Sequence, residues 1–282
     1  MIRATSMFKT MILCFTVILC GYNSSGAEDS HPLTMNFKYL GFANHPQVPH
    51  WDMGKLANFH AAVGMPQEID TLVAFKKRWP NKLGILYMGW WARDPESPDS
   101  ASIGPPLVAV FPGHWLLYAG CQTEPITPSD TIIYVSDISC FREDDDVQLR
   151  SSVSDWSVTE EVYVKEIGND IDGDYIKVAR AQYLANAVRQ DFPTGAYAAT
   201  HASGDPSTID QWRYNYCLVC PRDTLNRRTI EVMADFFADK LDEYPDIDGY
   251  TFDTTSWSVQ GKCANADGRG IDADADGVPD CG

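Results

Sequence analysis

The sequence predicts an α/β fold in which strand and helix units are interrupted by an inserted antiparallel β module. Three observations carry this. A strand, a helix and a second strand follow one another within residues 37–91, short alternating runs fill residues 105–200, and a strand and helix pattern returns from Trp212 onward. Alternating β and α segments favour a parallel sheet, whereas closely spaced alternating runs favour antiparallel pairing.

A leader precedes the first element. Arg3 and Lys9 give a basic start, Met11 to Cys20 an apolar run, and Ser25, Gly26 and Ala27 small residues at a cleavage position. This reads as a secretory signal over residues 1–27, cut near Ala27, and places the mature chain outside the cell, in a periplasm or at the cell surface. The run is only about half of the ~20 apolar residues that a span requires, so no stable membrane span is expected. Lipid attachment at Cys20 is a lesser alternative, because Leu19 stands where a small residue is favoured.

Residues 28–104 are expected to hold the first βα units. FKYLGFA at 37–43 alternates like a strand and leads into a loop at 44–51. EIDTLVAFKKRW at 68–79 sets Ile69, Leu72, Val73 and Phe75 on one helical face, and Pro80 stops it. KLGILYMGWW at 82–91 is a mostly apolar run of the kind buried on both faces of a parallel sheet.

Residues 105–200 change character. LVAVFPGHWLLYAG, TIIYVSDISCF, VTEEVYVKEIG and DYIKVARAQY are short runs separated by Pro, Gly and Asp, the pattern of an antiparallel module. NDIDGD at 169–174 reads as a hairpin turn. VARAQYLANAVRQDF at 178–192 also has the Ala, Leu and Arg content of a helix, which leaves its assignment open.

Residues 201–282 return to βα units. WRYNYCLV gives a possible strand, and in RRTIEVMADFFADKLDEY the residues Ile230, Met233, Phe237 and Leu241 recur at helical spacing. Asp223 or Asn226 stands where a cap is needed, and Pro245 ends the helix. The stretch DIDGYTFDTTSW then supplies a strand, GYTF, that finishes on Asp253.

Charge narrows the partners. The formal net charge is -17 and the pI about 4.6, which opposes a nucleic-acid partner, since phosphate binding needs clustered Lys and Arg. Divalent cations and neutral ligands suit such a chain. With 282 residues and 44% hydrophobic content it can bury a sizeable core.

Of the eight cysteines, Cys14 and Cys20 leave with the signal. Cys121, Cys140, Cys217, Cys220, Cys263 and Cys281 remain, and an even set in an exported chain reads as disulfides. Nearness in sequence suggests Cys121 with Cys140 and Cys263 with Cys281. CLVC at 217–220 is then a tight local bridge or a redox pair, and it lacks the second CxxC or close His pair that zinc would want.

An acid at the carboxyl end of a strand in a barrel of βα units is a candidate catalytic group, and glycosidases need two such carboxyls. Asp253 is the candidate here, against the plainer role of capping a turn. Trp90, Trp91, Trp212, Tyr214 and Trp257 could stack on sugar rings, with Asn215 supplying a polar contact; singly, each aromatic is as well explained by packing. His201 is read as a structural histidine.

The final stretch, IDADADGVPDC, is more specific. Asp272, Asp274 and Asp276 alternate, Gly277 allows a sharp turn, the Val278 carbonyl follows, and Asp280 stands at the ninth position. These are the first nine positions of a calcium loop, so structural calcium is expected, with a solvated acidic turn as the alternative.

Taken together, CPRDTLNRRTIEVMADFFADKL, DIDGYTFDTTSW and GRGIDADADGVPDCG resemble a group of exported glycoside-hydrolase-like proteins with a TIM-barrel fold from environmental bacteria. PGHWLLYAG, IIYVSDISCF and VARAQY resemble that group's inserted module. The resemblance implies a partial (β/α)8 TIM barrel, about its first half, cleaving an extracellular poly- or oligosaccharide with Asp253 as one catalytic carboxyl. Only about four strands of such a barrel can be found, so a truncated barrel whose second acid lies beyond Gly282 is expected, and the fragment itself is expected to be inactive. The alternative is a non-catalytic, calcium-stabilised carbohydrate-binding or adhesive surface protein. A thiol-disulfide oxidoreductase built on CLVC is a weaker third reading.

Overall fold

A computed structural model describes residues 40–42, 61–64, 69–88, 92–95, 105–106, 109–184, 187–205, 208–252 and 268–280. The strands in chain order are β1 (Leu40–Phe42), β2 (Ala61–Gly64), β3 (Leu83–Met88), β4 (Ala92–Arg93), β5 (Leu117–Tyr118), β6 (Cys121–Gln122), β7 (Ile132–Tyr134) and β8 (Asp146–Ser152). They continue with β9 (Asp155–Asp170), β10 (Gly173–Ala179), β11 (Tyr197–Thr200), β12 (Ser203–Asp205), β13 (Thr208–Arg213), β14 (Gly249–Phe252) and β15 (Ile271–Asp272). The helices are α1 (Ile69–Arg78) and α2 (Thr229–Glu243).

The chain divides into two compact units. The first holds a parallel sheet in the order β1-β2-β3-β14. Leu72 and Phe75 of α1 are fully buried, as their helical spacing requires. Lys76 completes that face with its ammonium on the Pro80 and Lys82 carbonyls and on Asp248, 2.7 Å from Oδ2. Asp248 also accepts from the Gly84 amide at 2.7 Å, while its own amide donates to the Gly84 carbonyl. A Cβ on Gly84 would lie 2.7 Å from Lys76 Cγ, so the glycine is what lets α1 close on β3. Asp248 is therefore the structural acid that starts β14.

The second unit is dominated by a curled antiparallel half-barrel of six strands, β6-β11-β8-β9-β10-β7. The β9-β10 hairpin turns through Ile171 and Asp172, with Gly173 at φ +133°, as NDIDGD suggests. Strand alternation in β8 and β9 sends Val147, Leu149, Val162 and Val164 into an apolar core with Ile133, Phe141, Ile176 and Phe192. Smaller sheets, β12-β13-β4 and β15-β5, complete this unit.

The expected partial TIM barrel is not the fold. Of the described residues 39% are strand and 18% helix, with two α-helices among them. A (β/α)8 barrel needs a helix after each strand of one closed parallel sheet. Among the described residues the parallel sheet has four strands with β1 and β14 at its edges, and most strands belong to antiparallel sheets. The described residues of the segment 178–192 are not helical: β10 ends at Ala179, and Ala181 and Tyr183 take positive φ, which ends any regular element. α2 forms as its periodicity predicts, with Met233 and Phe237 buried, although Ile230 is half exposed. Asp223 caps the preceding turn instead, accepting from the Leu225 and Arg227 amides, and Glu231 takes the Arg228 amide at the helix start.

Candidate metal centre and a buried polar face

The acidic loop begins on β15, which pairs with β5 and so is fixed at its first residue. The Asp280 amide returns to the Ile271 carbonyl at 2.6 Å and closes the loop. Ala275 and Gly277 take φ of +61° and +91°, bending the chain sharply enough to bring alternate side chains together. Carboxylate oxygens of Asp272, Asp274 and Asp276 all lie within 4.8 Å of one another. Asp272 is buried, while Asp274 and Asp276 face solvent.

The loop amides fold onto the same carboxylates. Asp272 accepts from the Asp276 and Gly277 amides, Asp274 from the Asp276 amide, and Asp276 from the Val278 amide. Asp280 points to the loop's own backbone, with Oδ2 taking the Ala273 amide at 2.6 Å and the Asp274 amide at 3.3 Å. The expected ninth ligand is thus a backbone clamp, and the converging side chains are the other three. Burial raises the Asp272 carboxyl to about 6, and the neighbouring Asp274 adds to this. Such a group gains from a cation, because a hard divalent ion binds carboxylate oxygens and offsets their mutual repulsion.

Asn215 holds the loop from outside. It is 1% exposed, and its Nδ2 donates to the Ala273 carbonyl at 2.7 Å while Oδ1 accepts the Cys217 amide. Trp212 and Tyr214 are also buried, at 1% and 4%, and pack against Trp115, with Tyr214 stacked on it at 4.6 Å. None of the three offers an open face to a sugar. Trp90, Trp91, Trp257 and Asp253 lie outside the described residues, as do the signal, Cys263 and Cys281.

A second constellation lies on the side of the six-stranded sheet away from its apolar core. Asp146, Gln148 and Arg150 alternate along β8, and Gln148 stands opposite Glu161 of β9. His201 Nε2 lies 2.8 Å from Glu161 Oε2, and Gln148 Nε2 donates to Glu161 Oε1 at 3.1 Å. The imidazole stacks on Trp212 at 3.7 Å, with ring planes 3° apart. Trp212 Nε1 donates to Asp146 Oδ2 at 2.8 Å, and the Tyr183 hydroxyl donates to Asp146 Oδ1. Burial raises the Asp146 carboxyl despite these donors.

Asp146, Gln148, Glu161, His201 and Trp212 are all nearly inaccessible. The cluster fixes β13 over the sheet and is sealed from a ligand. Sequence reading places His201 as structural, which fits, but singles out neither Asp146 nor Glu161. The alternation of acidic and amide residues with Val147 and Leu149 was the available signal, and by itself it reads as a solvated face.

No helix among the described residues is long and apolar enough to cross a membrane. Comparison with known proteins finds no matching family model, curated protein or solved structure.

Proposed function

We propose that this chain is a calcium-stabilised carbohydrate-binding protein of the extracellular space, in which the acidic loop is a structural staple. The observation that carries the metal reading is the convergence of the Asp272, Asp274 and Asp276 carboxylates within 4.8 Å on a loop tied down by β15 and Asn215. All-oxygen ligands without a strict octahedral arrangement suit calcium better than magnesium, which demands stricter geometry. Carbohydrate as partner rests on the resemblance described above and on an acidity that disfavours polyanions. Calcium is expected to raise the melting temperature of the full chain and a chelator to reverse the shift. A transition indifferent to both, with no heat on titration, ends the metal reading. Retention on immobilised glycans, with and without calcium, tests the partner.

A glycoside hydrolase is the second reading. β14 runs parallel to β3 and ends at Phe252, and Asp253 is the next residue in the sequence; open α/β sheets bind ligands beyond the carboxyl ends of such strands. Turnover of any glycan that disappears in Asp253→Asn, with the calcium response intact, selects this reading; binding without turnover selects the first.

A further inference from the structure

We propose that Cys121 and Cys140 form a disulfide across the seam of the six-stranded sheet. β6 and β7 are the outer strands of that sheet, and its curl brings them together. Thr123 and Val135 form an antiparallel bridge, the Ser136 amide donates to the Gln122 carbonyl at 2.9 Å, and the Glu124 amide donates to the Tyr134 carbonyl at 3.0 Å. Just past this point the chain turns through Asp137, whose Oδ1 accepts the Ser139 amide and starts the 3-10 turn Ile138–Cys140.

That turn carries the second thiol back to the first. Cys121 Sγ donates to the Asp137 carbonyl at 3.5 Å, and the Cys140 amide reaches the same carbonyl at 3.4 Å. The two side chains are close enough for each to shift the other, Cys140 lowering the Cys121 thiol and Cys121 raising that of Cys140. Cys121 is buried in the apolar core and Cys140 packs against it, whereas Cys217 and Cys220 are not among the residues of that core. Arg269 holds the Cys140 carbonyl at 3.4 Å while pairing with Asp145, which fixes the turn.

CLVC contrasts with this pair. Cys217 is exposed, whereas Cys220 is buried with Sγ 3.3 Å from Thr229 Oγ1, and burial raises both thiols. Cys140 instead lowers the Cys121 thiol below its ordinary value, which favours Cys121 as the attacking sulfur. The Cys121 thiolate attacks one sulfur of a low-molecular-weight disulfide such as oxidised glutathione, forming a mixed disulfide and expelling one glutathione thiolate. Cys140 then gives up its proton and displaces the second glutathione from Cys121. The two protein thiols are oxidised, and the small disulfide is reduced to two thiols.

The test is peptide mapping of the full chain, reduced, exposed to oxidised glutathione and then alkylated without reductant. A linked pair of peptides carrying Cys121 and Cys140, two hydrogens lighter than their sum, is expected. Alkylation of both after oxidation, or linkage of either to Cys217 or Cys220, overturns the proposal. Thermal unfolding gives an independent readout: under oxidising conditions Cys121→Ser, Cys140→Ser and the double variant should share one lowered melting temperature. Reductant should bring the unmodified chain down towards them, and a melting temperature indifferent to reductant overturns the proposal.

Discussion

Two buried arginines show how differently the two sides of one sheet are built. Arg180, just after β10, spends five donors on five acceptors: two oxygens of Glu160 at 2.6 Å and the carbonyls of Thr127, Asp130 and Gln190. Glu160 in turn accepts the Ala181 and Gln190 amides. Arg150, in β8, is 0% exposed, yet none of its three nitrogens has a hydrogen-bond partner among the described residues. Its guanidinium lies between Trp156, at 4.2 Å, and Tyr197, at 4.8 Å, with Asp272 as the opposing charge. Burial lowers Arg150 to about 10. The first arginine is a bonded knot that pins irregular chain to the sheet. The second is a buried cation held by aromatic faces and by the acidic loop.

The difference can be broken experimentally. Arg180→Met leaves Glu160 buried without its cation and is expected to cost about 3–5 kcal/mol in urea denaturation, since removing one partner strands the other. A loss under ~1 kcal/mol would show that the knot is not what holds residues 181–192 in place. On the polar side, Trp212→Phe keeps the stack on His201 but removes the donor to Asp146. About 2 kcal/mol should be lost, the scale of a hydrogen bond to a buried charge.

Asp276→Asn should weaken calcium binding about tenfold, roughly 1.4 kcal/mol, by removing one of three converging charges. Calorimetric titration reads this directly. Arg150→Met has the smallest expected effect on stability, within ~1 kcal/mol, because it removes a buried charge that has no hydrogen bond among the described residues, while Asp272 keeps the Asp276 and Gly277 amides. The same variant should tighten calcium binding, since it removes a positive charge beside Asp272. A loss as large as that of Arg180→Met would mean that the two arginines are not different in kind.

What the sequence shows follows from the range of each interaction. The helical face of Leu72 and Phe75, the Gly173 hairpin and the alternation of the acidic loop are written within a few residues of one another, and all three form. The pairing of β14 with β3, and of β13 with β4, joins segments more than a hundred residues apart in the chain, and no local period encodes it. A strand followed by a helix therefore reads as part of a barrel even where the parallel sheet has four strands among the described residues. The same limit hides the polar face: alternation in DVQLR shows a strand with two unlike sides, but not that Trp212 and His201 cover the polar one. It also turned Trp212, Tyr214 and Asn215 from candidate sugar contacts into core and loop anchors.

The meeting of β6 and β7 has a consequence for the protein's life in a crowded solution. An open sheet carries unpaired amides and carbonyls along its outer strands, and these are templates on which another chain can add a strand and seed aggregation. In this unit the outer strands are only two and three residues long, and each uses part of its outer backbone on the other. The sheet thus protects its own margins by curling, and the thiol pair sits where that protection closes.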